Sequence, residues 1–252
     1  MLERHIAQGP LARGACAARG LLSAESRRRA LLLLVALLLA APMAAEVLYD
    51  NGPIVTSTGT GHEGADESVV QDESLDHQTY GFGHDGASMN RVADDFAVPP
   101  GETWRLDEVQ FYAYQPGSTT TSTFDSMNLR IWDGPPGEVG SQIVFGDTTT
   151  NRLVGTHFAH VYRRAESSGP GETSRPVMRN TVDTGGVLLE AGIYWLDWQA
   201  EGSLDNGSWA IPVTVESLKT TGNGLQSILG GGFFPALSEG QQGFAFTLFG
   251  EK

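Results

Sequence analysis

The chain has 252 residues, of which 16 are Lys or Arg and 30 are Asp or Glu, giving a formal net charge of −14. A surface of that sign repels nucleic-acid phosphates and anionic lipid, which excludes DNA and RNA as partners. The only cysteine is Cys16, with no apolar run before it, so it is not a lipoprotein attachment site, and nothing after it can form a disulfide, a thiol nucleophile or a cysteine metal site.

The first feature in chain order is Arg27-Arg28-Arg29, followed by the apolar run from Ala30 to Ala41 and then Pro42-Met43-Ala44-Ala45. Positive charges, an apolar stretch, a helix breaker and small residues make the pattern of a secretory signal. The run is too short to span a bilayer, which takes roughly 20 apolar residues. Cleavage is expected near Ala45, although Met43 sits where a smaller residue is usual. The leucine-rich run favours the general secretory route over a twin-arginine one. The stretch before Arg27 is long for a signal and rich in Ala, Gly and Arg, as an over-extended gene start would be. Residues 1–45 are therefore read as the signal and 46–252 as one domain, exported to the periplasm, the cell surface or the medium. The signal holds six arginines and two glutamates, so the remainder has 10 basic and 28 acidic residues and a net charge of −18. A chain of that length buries roughly 70% of its unfolded surface and can be held by its core alone.

Next comes a stretch, 51–90, without Lys or Arg and rich in acids, Gly, Ser and Thr, which reads as an acidic, loop-rich excursion. Beyond it a period near two dominates. Val92–Val98 is a candidate strand. Trp104, Leu106, Val109, Phe111 and Ala113 mark one face of a long strand, with Tyr112 and Tyr114 on the other. The parity slips at Asp107-Glu108, which predicts a β-bulge. Leu129 and Ile131 alternate with Arg130 and Trp132, Ile193 and Trp195 with Tyr194 and Leu196, and Phe244, Phe246 and Leu248 with Ala245, Thr247 and Phe249. Shorter candidates are Val47–Tyr49, Gln142–Phe145, Leu153–Arg163, Pro176–Val182, Trp209–Val215 and Leu225–Leu229. Asn51-Gly52-Pro53, Asp85-Gly86, Asp133-Gly134-Pro135-Pro136, Gly185-Gly186, Asn206-Gly207 and Asn223-Gly224 read as turns. The 32 glycines exceed the ordinary share of about 7%, as a many-turned chain requires. About ten strands at short spacing predict an all-β fold, a single two-sheet antiparallel β-sandwich of jelly-roll type, with a lipocalin-like barrel as the alternative. No apolar helix or basic tail follows the Phe244–Phe249 strand, so no C-terminal anchor and no membrane span are expected after the signal.

Five segments taken together carry a resemblance: Asn90–Phe96, Phe111–Gln115, Arg130–Gly137, Gly146–Arg152 and Tyr194–Gln199. They resemble a group of uncharacterised exported bacterial β-sandwich proteins, over roughly Val47 to Phe249. The resemblance implies export and a sandwich, and it carries over no activity, cofactor or site residue.

Several constellations could carry chemistry. His62-Glu63, Asp66, Asp72, Asp76-His77 and His84-Asp85 collect oxygen and imidazole ligands, but at no metal-site spacing, and a solvated acidic loop collects them equally well. His157 and His160 fall on opposite faces of a strand and share a ligand only if the chain turns between them. Asp94 and Asp95 are metal-ligand candidates, for a structural calcium together with Asp107 or Asp197. No Gly-x-Ser-x-Gly, His-Glu-x-x-His or Walker pattern is present. The aromatics are the stronger lead. Tyr112, Tyr114, Trp132 and Trp198, with Asp133 beside Trp132, have the composition of a sugar-stacking surface, because one sugar face is apolar while its hydroxyls need polar partners. A sandwich core uses the same rings. The expected function is therefore binding of a glycan or another extracellular surface polymer by a non-enzymatic exported protein. The alternatives are an extracellular polymer-degrading hydrolase or lyase, with or without calcium, and a structural envelope or matrix component.

Overall fold

The computed structural model describes residues 45–70 and 79–252. Residues 1–44 of the signal read over 1–45, and Asp72, Asp76 and His77 of the acidic constellation, lie outside the described residues.

The described chain is all-β. β1 (Glu46–Asp50), β2 (Asp66–Val70) and β3 (Phe82–Gly83) precede the long β4 (Arg91–Tyr114). β5 (Phe124–Trp132), β6 (Ile143–Gly146) and β7 (Leu153–Ala165) lead to the second long strand, β8 (Pro176–Gly202). β9 (Trp209–Ala210), β10 (Leu225–Ser227), β11 (Phe233–Pro235), β12 (Leu237–Ser238) and β13 (Gly240–Gln241) are short, and β14 (Phe246–Glu251) follows. Among the described residues, helical turns are limited to His62–Gly64 and Glu166–Ser168, and no helix is long and apolar enough to cross a membrane.

Twelve strands join in one sheet along the path β1-β14-β4-β8-β5-β6, with β12 and β13 paired apart. The strands pair antiparallel except β2, which runs parallel to β7. β2 and β3 fall inside the stretch read as a loop-rich excursion. β3 is too short to show alternation, and β2 lacks it because polar residues point inward and find partners remote in sequence. Glu67 of β2 is fully buried, with Arg164 Nε at 2.9 Å and with Thr60 Oγ1 and the Gly171 amide donating to it.

β4 and β8 form the axis of the molecule, paired from Val92 opposite Trp198 to Ala113 opposite Met178. Two interruptions shape this ribbon. Between Val98 and Thr103 the segment Pro99-Pro100-Gly101-Glu102 stands against Ala191. Prolines are tolerated there because a bulge needs no ladder hydrogen bond from them. Between Leu106 and Glu108, Asp107 stands against Thr184-Gly185-Gly186. The bulge expected at Asp107-Glu108 is thus present. Gly185-Gly186, expected as a turn, lies inside β8 as the other side of that bulge. Both glycines have left-handed φ, 65° and 76°, and Thr184 Oγ1 donates to Leu106 O at 2.6 Å.

The two halves of the ribbon take different neighbours. The second half of β4 pairs with β14 and the first half of β8 with β7. The first half of β4 pairs with β10 and the second half of β8 with β5. Side chains from one half pack on those of the other. Phe111 stacks on Trp198 with ring centres 4.4 Å apart, Phe96 lies parallel to Trp104, and Trp198 meets Phe244 and Phe246 edge-on. Trp104, Leu106, Val109, Phe111 and Ala113 are all buried, as their shared parity requires. A second apolar cluster, including Ile54, Tyr114, Val177, Ile211 and Val213, covers the opposite face at the end of β4.

Candidate functional site

The alternation that buries Leu129 and Ile131 sends Asn128, Arg130 and Trp132 of β5 to the outer face of the sheet. The same rule, with Leu196 and Trp198 inward, places Trp195, Asp197 and Gln199 of β8 on that outer side, where all three are nonetheless buried. Register then sets these residues side by side. Trp132 stands opposite Trp195, Arg130 opposite Asp197, and Asn128 opposite Gln199. On the next strand Asp95 is opposite Trp195 and Ala93 opposite Asp197. On the other flank Ile143 of β6 faces Trp132 and Gly146 faces Arg130.

Asp197 organises this surface. Its side chain is 0% exposed and lies between two guanidinium groups. Arg91 Nε donates to Oδ1, while Arg130 Nε (2.7 Å) and the Trp132 indole N–H (3.1 Å) donate to Oδ2. Arg91 also donates through Nη1 to Asn128 Oδ1 and Gln199 Oε1 and through Nη2 to the Asp197 carbonyl. Burial lowers the Arg91 guanidinium from its ordinary value, while the adjacent Asp197 opposes that shift. Arg130 lies over the Trp132 ring, 5.0 Å from its centre. An indole bonded at one edge and stacked on a cation is fixed in orientation, and it remains part-exposed. Both Asp197 oxygens accept hydrogen bonds from the chain, and this buried carboxylate orients its neighbours.

The residues singled out in the sequence divide. Trp132 belongs to this surface. Asp133 is exposed but follows the strand's alternation to the rim. Its Oδ1 accepts from the Gln142 amide and closes the loop between β5 and β6. Trp198 lies in the main core, 2% exposed, and is corrected from a ligand residue to a core residue. Tyr112 and Tyr114 share a face as expected, but the second apolar cluster covers it and Tyr114 is 2% exposed. Asp94 and Asp95 diverge, Asp95 opposite Trp195 and Asp94 opposite Leu196. Asp94 is buried, and it accepts from Asn51 Nδ2, the Phe244 amide and the Asp95 amide. They do not form a ligand pair, and no group of three or more His, Cys, Asp or Glu is arranged around a metal position among the described residues. His157 and His160 are both exposed, with His160 at a break in register and φ 56°.

A separate cavity of about 300 Å³ is lined by Asp85, Gly86, Ser88, Glu201, Ser203 and Asp205 among others. Burial works to raise the Asp85 pKa, yet hydrogen bonds from Ser88 and Asn90 prevail and hold it below its ordinary value. Beside it, His84 is fully buried with both ring nitrogens unpartnered among the described residues. Burial lowers its pKa to about 4.

Gln199 and Asp197 were legible as polar partners of the rings, while Arg91, Arg130 and Asn128 were missed, because attention to rings and acids left the arginines aside. The signal was present. Asn128-x-Arg130-x-Trp132 and Trp195-x-Asp197-x-Gln199 are two polar-aromatic rows at strand period. Comparison of the chain with protein-family models, with curated proteins and with solved structures finds no match.

Proposed function

We propose that this is an exported binding protein whose outer face, on β5, β8 and β4, holds a carbohydrate. We further propose that the bent β4–β8 ribbon folds the sheet over as a two-layer sandwich of jelly-roll type. The aromatic contacts between the two halves of the ribbon support that reading. The observation that carries the function is the Trp132 indole, locked by Asp197 and Arg130 yet part-exposed. A fixed ring with polar neighbours suits a sugar. The apolar sugar face packs on the indole, and its hydroxyls exchange hydrogen bonds with Asn128 and the Arg130 guanidinium.

The test is Trp132→Ala in a glycan-array and titration assay. A part-exposed ring can be removed with a small change in thermal midpoint, while loss of an aromatic hot spot weakens binding about tenfold or more. Unchanged affinity in the variant, or no glycan bound by the unaltered protein, sinks the reading.

A further inference from the structure

A guanidinium has two donor edges, one at Nε and Nη2 and one at Nη1 and Nη2. In Arg130 the first edge is occupied. Nε donates to Asp197 Oδ2 at 2.7 Å, and Nη2 lies 2.5 Å from the same oxygen. The second edge meets no acceptor among the described residues. Arg91 differs, since its Nε, Nη1 and Nη2 all donate within the cluster. Two guanidinium groups around one carboxylate also leave one positive charge uncompensated at this spot. The β6 residue opposite Arg130 is Gly146, which adds no side chain on that flank, and the Arg130 side chain is 18% exposed. The glycine is itself required, because its φ is +81° and a Cβ there would sit 2.1 Å from Leu129 O.

We propose, resting on the glycan reading above, that the bound glycan carries an isolated carboxylate-bearing sugar whose carboxylate is received end-on by the Nη1–Nη2 edge of Arg130. A planar carboxylate matches two parallel N–H donors, whereas hydroxyls match them less well. The chain's net charge of −14 argues against a densely charged polyanion. A single carboxylate escapes that repulsion, because screening confines it to about 8 Å at physiological ionic strength. Asp95, opposite Trp195, sets the limit on the β4 side, so the carboxylate approaches from the side of β6.

The experiment is calorimetric titration with a xylo-oligosaccharide bearing one glucuronate, and with the same compound after reduction of its carboxyl to a primary alcohol. Binding of the acid about 10- to 100-fold tighter than its reduced form is expected. That preference should vanish in Arg130→Gln and shrink in Arg130→Lys, which keeps a charge beside Asp197 but loses the planar fork. The two probes are compared on the unaltered protein, so the result does not depend on either variant folding. Equal binding of the two probes overturns the carboxylate inference and leaves the glycan reading standing. Absence of binding by both probes and by a panel of neutral glycans removes the glycan reading and the inference with it. Polygalacturonate bound more tightly than the singly charged probe overturns the isolated charge.

Discussion

Two buried titratable residues, Asp94 and His84, oppose each other in their effect on stability. Burial pushes the Asp94 carboxyl up to about 7, against the pull of hydrogen bonds from Phe244, Asp95 and Asn51. Between its unfolded value, about 4, and 7, the folded chain holds a proton the unfolded chain has released, so this residue's contribution falls as pH rises. His84 works the other way. Its pKa is lowered to about 4 by burial, so below about 6.5 the unfolded chain takes up a proton that the folded chain refuses. Its contribution is present above 6.5 and is lost as pH falls towards 4. Each slope reaches up to about 1.4 kcal/mol per pH unit. Urea unfolding between pH 4 and pH 7 therefore shows a weak net dependence in the unaltered protein. Asp94→Asn exposes a rise with pH, and His84→Gln exposes a fall. Equal slopes in all three proteins would show that neither residue titrates as described. The same scale explains why Trp198 was misplaced by composition alone. A tryptophan suits a core and a ligand face equally, and only its parity with Leu196, opposite to that of Asp197, separates the two.

At the scale of elements, the β4–β8 ribbon carries the clearest local requirement. Gly185 has a φ of 65°, and no atom lies within 4 Å of the position a β-carbon would take, so an alanine there meets open space and only backbone strain. That strain costs about 1–2 kcal/mol for an L-residue in the left-handed region. Gly185→Ala should lower the denaturation free energy by that amount and leave the proposed glycan affinity unchanged, because the bulge lies in the half of the ribbon away from Trp132. A loss of affinity without loss of stability would show the bulge to act on the site. The bulge was legible from Asp107-Glu108, where the apolar parity slips by one. Its other side was not, because Gly185-Gly186 has the chemistry of a turn, and only the pairing of its flanks, Asp183 with Glu108 and Val187 with Leu106, makes it part of a strand. β2 was illegible for a different reason. Asp66-Glu67-Ser68 reads as loop, and Glu67 faces inward only because Arg164, nearly a hundred residues later, meets it there. Periodicity reports burial of apolar residues and is silent where a buried polar pair replaces them.

At the scale of the whole molecule, both ends of the described chain close the sheet. β1 pairs with β14 from Glu46 opposite Gly250 to Asp50 opposite Thr247, and Leu48 and Leu248 enter the same core as Trp198 and Phe111. The Asn51 side chain, just after β1, donates to Asp94 on β4 and to Phe244 O. No half of the ribbon can lose its neighbours without opening the core that the other half shares. Residues 46–252, produced without the first 45, are therefore expected to unfold as one cooperative unit. The check is coincidence of two thermal transitions, one from backbone circular dichroism and one from the near-ultraviolet signal of the packed Trp198 and Phe111 rings. Separate midpoints would show that the two halves fold apart, and a ligand face on one of them could then survive loss of the other. The proposed export makes a companion prediction. The mass of the protein recovered outside the cytoplasm should match a chain beginning at Glu46, the first residue of β1. A product beginning well after Asp50 would lack the strand that closes the sheet against β14, and the single transition could not hold for it.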